Sequence, residues 1–113
     1  MMSFKTAIFA TIKSLKPEPY TCPVTGGKAY IKRFTVAERE NYMYAVNKAQ
    51  DGLSNATGFT MIMCDDKGNL LFGKEDIEKI ATLPDGIVGS ALAAFNTQKT
   101  LSVEQAEKNS EPT

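Results

Sequence analysis

Histidine is absent from the chain, and cysteine occurs only twice, at Cys22 and Cys64. Without histidine there is no imidazole general base, no Ser/His or Cys/His nucleophile pair and no histidine-based zinc site. The two cysteines stand far apart and form no metal-ligand spacing, which reads as two thiols in a reducing cytosol. Net charge is missing as well, since 13 basic residues balance 13 acidic ones. A nucleic-acid binder carries a basic excess, because neutralising phosphates drives its affinity, so no nucleic-acid partner is expected. Zero net charge leaves self-association electrostatically unopposed. Long apolar runs are also lacking: none approaches the ~20 residues of a membrane span. The opening MMSFKTAIFATIKSLK is interrupted by Lys5, Thr6 and Lys13, and no cleavage site follows it. It does not read as a signal peptide, and its apolar stripe with three lysines suits packing on its own domain or a partner subunit over docking on a membrane, so the expectation is a cytoplasmic protein with no membrane partner.

What is present fits one domain. The chain has 113 residues, 42% hydrophobic and 23% charged, which is ordinary for a soluble globular protein. Phe4, Ile8, Ile12 and Leu15 recur at helical spacing and predict a short amphipathic helix over 4–15, ended by Pro17 and Pro19. Residues 20–34 predict a β-hairpin turning at Thr25-Gly26-Gly27, with Pro23 marking its first arm as an edge strand. Thr35 and Glu38 have the T-x-x-E spacing of a capping box and open a helix. That helix is expected to turn Val36, Met43, Val46 and Ala49 to the core, with Tyr42 and Ala45 widening the face, and to stop at Asp51-Gly52. LSNATG, residues 53–58, reads as a loop. FTMIMC, residues 59–64, is an apolar run that is strand or helix by periodicity, its flanking turn residues favouring a strand. NLLFG would be the return strand. GKEDIEKIATL, residues 73–83, predicts a short helix with Ile77, Ile80 and Ala81 inward. Pro84 suits the first position of a last helix, whose apolar stripe is Ile87, Val88, Ala91, Leu92 and Phe95 among small residues. The expected fold is α+β. One small domain over 1–101 joins an N-terminal helix, antiparallel hairpins and several short helices, and a polar tail occupies 102–113.

The densest concentration of functional groups is CDDKGNLLFGKED, residues 64–76. As a calcium loop starting at Asp65 it fails twice: Lys67 stands at the third position, where an oxygen ligand belongs, and glycine arrives at the fourth. As catalytic carboxylates, Asp65 and Asp66 would point to opposite faces of a strand or stay solvated on a turn. No Ser nucleophile motif or phosphate-binding glycine loop accompanies them. DDKGN therefore reads as a hairpin turn and GKED as a helix start. No catalytic residue, metal or cofactor is expected.

The order of these elements is more specific than any one of them. The hydrophobic run reaches Asp65 and Gly68 in a D-x-x-G turn, then Leu71-Phe72, then acidic Glu75-Asp76 opening a helix, and the last helix ends at Asn96 before a polar tail. Upstream, a strand leads into the T-x-x-E/R element from Tyr30 to Arg39. This arrangement resembles the tail assembly chaperones of long-tailed bacteriophages, over residues 4–109. One departure is Gly52-Leu53-Ser54 with the Met-rich run, where the family would have a plainer helix. The resemblance implies a non-enzymatic protein of the host bacterial cytoplasm that is lost from the mature virion. Its implied partners are the long helical tape-measure protein, which it keeps soluble, and the major tail protein, recruited by a frameshifted form. The competing reading is a structural tail-completion or head–tail adaptor subunit that stays in the particle. Glu107-Lys108-Asn109 can be encoded with the slippery heptamer A AAA AAC in phase, which is where a frameshift is expected. For contact with the client or with further copies, the expected residues are Phe4, Ile8 and Ile12 on the first helix and Ile87, Ala91 and Phe95 on the last.

Overall fold

Glu18–Thr21 (β1) and Lys28–Ile31 (β2) form an antiparallel hairpin in the computed structural model, which describes residues 3–98. The turn closes through Cys22, whose N–H donates to the Gly27 carbonyl at 2.8 Å, and Gly26 takes a positive φ of 74°. Bonded and non-bonded pairs alternate along an antiparallel ladder. With Cys22 bonded to Gly27, Glu18 and Tyr20 also face β2, while Pro19 and Thr21 face the open edge. Pro19 thus removes an N–H from the side of β1 that faces away from β2, which blunts that edge. β2 pairs on its other side with a two-residue strand, Met63–Cys64 (β3), giving the order β1-β2-β3.

Five α-helices accompany this sheet among the described residues. Phe4–Ala10 (α1) is capped by Ser3, whose Oγ accepts the Thr6 N–H at 3.2 Å, and it tightens into a 3₁₀ turn over Thr11–Ser14. Val36–Lys48 (α2) has the expected capping box: Thr35 Oγ1 accepts the Glu38 N–H at 3.1 Å, and Glu38 Oε1 accepts the Thr35 N–H at 3.0 Å. Ser54–Ile62 (α3) is the central helix, with Ala56, Gly58, Phe59, Thr60 and Ile62 buried. Ile77–Ile80 (α4) is a single turn after a 3₁₀ segment, and Asp85–Asn96 (α5) closes the domain. Ile31, Phe59, Ile62, Met63, Ile80, Val88, Ala91 and Phe95 make one core among α3, α5, α4 and the sheet. The α+β class is as expected from the sequence.

Several local expectations are corrected. LSNATG is not a loop; from Ser54 it forms the first turns of α3. Its polar side chains are accommodated because Thr57 Oγ1 donates to Leu53 O at 2.8 Å and Thr60 Oγ1 to Thr57 O at 2.7 Å. Burial against α2 and α5 then outweighs the weak helix propensity of Asn, Thr and Gly. FTMIMC is both alternatives at once: Phe59–Ile62 complete the helix and Met63–Cys64 are the strand, with no residue between them. NLLFG is barely a strand. Leu70 bridges Cys64, and the Leu71 N–H donates to Met63 O at 3.1 Å. Val36 and Met43 do not face the core, and Ala81 is exposed past the end of α4. On α2 the inward side is Tyr42, Ala45 and Val46, with Ala49 following at its C-cap, each half-buried.

Gly58 explains how α2 and α3 come close. A Cβ there would lie 3.1 Å from Tyr42 Oη and 3.2 Å from its ring. Glycine leaves that space to the phenol. The start of α3 is also tied to α2 by Ser54 Oγ donating to Val46 O at 3.2 Å.

Candidate functional site

The acidic stretch resolves into backbone chemistry. Asp65 Oδ1 accepts the N–H groups of Lys67 and Asn69, each at 2.9 Å, and Oδ2 accepts the Asn69 amide at 3.2 Å. These bonds, led by the Asn69 N–H, hold its carboxyl below the usual range. Gly68 completes the turn with φ of 87°. Asp76 Oδ2 accepts the Gly73 N–H at 2.9 Å and opens the following 3₁₀ segment. Among the described residues, no group of three or more Cys, Asp and Glu is placed to hold a metal ion.

The two thiols differ. Hydrogen bonding from Thr25, first through its side chain, lowers the Cys22 thiol, whereas burial pushes Cys64 up. Both are free, and Cys64 is fully buried beneath the Tyr30 carbonyl.

The unusual surface is apolar. α1 buries none of its residues, leaving Phe4 82% exposed with Ile8 and Phe9 also open, and Ile12 in the 3₁₀ turn that follows is 69% exposed. A helix packed on its own domain would hide such a stripe. Where this arm rejoins the body, Thr11 and Leu15 form one wall of an open groove of about 640 Å³. The other walls are Phe34, Val36 and Arg39 at the β2–α2 junction, and Phe95 with Gln98 at the end of α5. Val36, pinned at the first turn of α2 by the capping box, is 82% exposed on its rim.

Phe34 and Phe95 line the groove, and Tyr42 packs against both to make an aromatic trio. The ring centroids of Phe34 and Phe95 are 5.0 Å apart, Tyr42 and Phe95 5.3 Å, and Phe34 and Tyr42 5.4 Å. Tilted pairs at this spacing each add ~0.5–1.5 kcal/mol beyond area burial. Arg39 lies over two of these rings, its Cζ 5.4 Å from the Phe95 centroid and 5.9 Å from that of Tyr42. Burial raises the Tyr42 hydroxyl, and the nearby Arg39 charge partly offsets this. The walls are braced by Lys32 Nζ against Glu38 Oε2 at 2.8 Å, by Arg33 against Glu18 at 3.7 Å, and by Gln98 Nε2 donating to Lys32 O at 3.1 Å. Lys32, ahead of the Thr35 cap, holds the Glu38 carboxyl below its usual range.

The expected contact residues divide. Phe4, Ile8 and Ile12 are open to solvent. Ile87 is half-buried, and Ala91 and Phe95 are core residues at 0% and 4% exposure. The apolar stripe of α5 packs against α3 and the aromatic trio, and its last turn reaches the groove through Phe95. Sequence reasoning missed Phe34, Val36 and Arg39. Helical periodicity assigned Val36 to the core. The signal that could have found them is the adjacency of an aromatic, an N-terminal β-branched residue and an arginine within Phe34-Thr35-Val36-x-x-Arg39. Glu107, Lys108 and Asn109 lie outside the described residues.

No helix among the described residues is long and apolar enough to cross a membrane. Neither protein-family models, curated protein sequences nor solved structures match this chain.

Proposed function

We propose that this chain is a binding protein and not a catalyst: a phage tail assembly chaperone that holds the tape-measure protein soluble in the host cytoplasm and is absent from the finished virion. The observation that carries the reading is the open groove between Thr11 and Leu15, which follow α1, and the start of α2, floored by Phe34 and Phe95 and edged by Val36 and Arg39. A long helical client exposes apolar stripes along its length, and an open aromatic-floored groove suits the side chains of such a stripe. The arginine, its Cζ 5.4 Å from the Phe95 ring centroid, is placed to meet a carboxylate on the flank of that stripe. A longer form, made by slippage at the codons for Glu107-Lys108-Asn109, recruits the major tail protein. In the gene, AAG for Lys108 would remove the slippery site.

Co-expression tests the reading. The tape-measure protein is produced alone, with the wild-type chain, and with a Val36→Asp, Arg39→Glu variant. The expected result is soluble client only with the wild type, and a variant whose own melting temperature is unchanged. Client that stays insoluble with the wild type overturns the proposal. So does a stoichiometric signal for this chain in the mass spectrum of purified virions, which would assign it to the particle as a structural subunit.

A further inference from the structure

Gln98, the last described residue, lines the groove and is fixed at its rim by Nε2 donating to Lys32 O at 3.1 Å. Residues 99–113 follow it in the sequence. A chain advances at most ~3.6 Å per residue, so Leu101 lies within about 11 Å of that rim and Glu104 within about 22 Å.

The composition of this stretch complements the groove. Leu101 and Val103 are bulky and apolar, and residues 100–107 carry Glu104 and Glu107 with no lysine or arginine. The groove is apolar at Leu15, Phe34, Val36 and Phe95, and its lining sets two arginines, Arg33 and Arg39, against one glutamate, Glu40. Arg33 is already paired with Glu18 at 3.7 Å. Arg39 lies over the Phe95 ring and makes no ion pair among the described residues. The N-terminal arm has the wrong sign for this site, since Lys5, Lys13 and Lys16 are the only charged residues before Glu18.

We propose that residues 101–104 of this chain fold back into the groove. Leu101 and Val103 cover its apolar lining, and the Glu104 carboxylate meets the Arg39 guanidinium. Only Lys99 and Thr100 separate the segment from Gln98, so its effective concentration at the groove is on the order of millimolar. A contact too weak to hold a free peptide then suffices within one chain, because the ends are already joined. The segment shields the groove until a client displaces it. The docking depends on this chain alone, whereas its role in regulating client binding rests on the function proposed above.

Amide ¹H–¹⁵N spectra of the full-length protein test the docking. Compared with wild type, a Leu101→Ser, Val103→Ser variant should shift the amides of Thr11, Val36 and Arg39. The turn at Gly52, beyond the far end of α2, should stay in place. A peptide of residues 99–108 is then titrated into both proteins. It should move the same groove amides in the variant, and bind wild type at least tenfold more weakly, because the tethered segment competes. Arg39→Glu should abolish the docking, and Arg39→Glu with Glu104→Arg should restore it. Should Arg39→Glu disturb the fold, Glu104→Arg alone should weaken the peptide at least tenfold. Groove amides unmoved by the tail substitutions overturn the proposal. So does equal peptide binding to wild type and variant, which would mean an open groove. Shifts that vanish on tenfold dilution also overturn it, since they would give the groove to the tail of a second copy. Soluble client without groove shifts would remove the docking alone, and groove shifts with insoluble client would remove the client reading alone.

Discussion

The phenol oxygen of Tyr20 lies 2.6 Å from the hydroxyl of Ser90, joining the edge strand to α5 across 70 positions of sequence. Ser90 already gives its one hydroxyl proton to the Ile87 carbonyl at 3.1 Å. Tyr20 is therefore the donor and Ser90 the acceptor. Tyr20→Phe should cost about 1 kcal/mol, the ordinary net worth of one such bond. Ser90→Ala should cost about as much, and the double variant less than the two costs added together. Urea denaturation of the four proteins completes the cycle; additive losses would show that the two groups are not coupled.

The close approach at Gly58 makes a second test. Its missing Cβ leaves room for the Tyr42 ring. Gly58→Leu should destabilise by roughly 1–3 kcal/mol through overpacking. Gly58→Ala should cost less, because the helix gains up to ~1 kcal/mol in propensity while the ring shifts by a few tenths of an ångström. Chemical denaturation reads both, and a leucine variant as stable as wild type would contradict the packing of α2 on α3.

Core and surface aromatics should separate cleanly. Phe95→Ala removes a ring that is 4% exposed and supports two others, and a loss of about 3–5 kcal/mol is expected. Phe4→Ala, at 82% exposure, should leave the melting temperature of the dilute protein within a degree or two, since exposed positions change stability by about 0.5 kcal/mol or less. Equal losses at the two sites would mean that the arm is folded onto the body.

The thiols give a chemical readout. Cys22 is accessible and its thiol is lowered by hydrogen bonding; Cys64 is enclosed and raised by burial. Since the thiolate is the reactive form, a maleimide should modify Cys22 rapidly at neutral pH. Cys64 should react only after denaturant is added. Peptide mapping after a short pulse distinguishes them.

Acid should weaken the α2 cap. The folded Glu38 carboxyl sits below its usual range because Lys32 and the Thr35 N–H favour its charged form. A depressed carboxylate contributes stability above its unfolded pKa and loses it as pH falls through the folded value. Stability should therefore decline below about pH 4–5, near the ordinary range of a glutamate, and Glu38→Gln should flatten that part of the profile. Thr35→Ala should cost ~0.5–2 kcal/mol, as expected for an N-cap, and a pH-stability curve shared by wild type and Glu38→Gln would contradict the pairing.

These tests follow how the sequence encodes the molecule. Local chemistry was legible where a side chain bonds its own backbone: the Thr35–Glu38 box, the Asp65 turn and the glycine turn after Cys22 all read directly from spacing. α3 was not, because Ser54, Asn55 and Thr57 are poor helix formers, carried into the helix by the burial of Ala56, Gly58 and Phe59 between them. Val36 was misplaced for a related reason. Periodicity says which residues share a face, but only the packing of neighbours decides which face is covered. The groove was invisible because it joins residues from the arm, the β2–α2 junction and the end of α5.

The passage from Ile62 straight into Met63 has a consequence for how this chain can vary. A helix rotates its side chains by about 100° per residue, and a strand reverses them at every step. With no spacer between the two, the phase of α3 and the register of β3 are mechanically geared. One inserted residue would either turn Phe59 and Ile62 off the core or flip Met63 and Cys64 to the other side of the sheet. Length changes in natural variants should therefore be excluded from this joint and collect at the open turns around Gly26 and Gly52, where the chain can lengthen without moving the core.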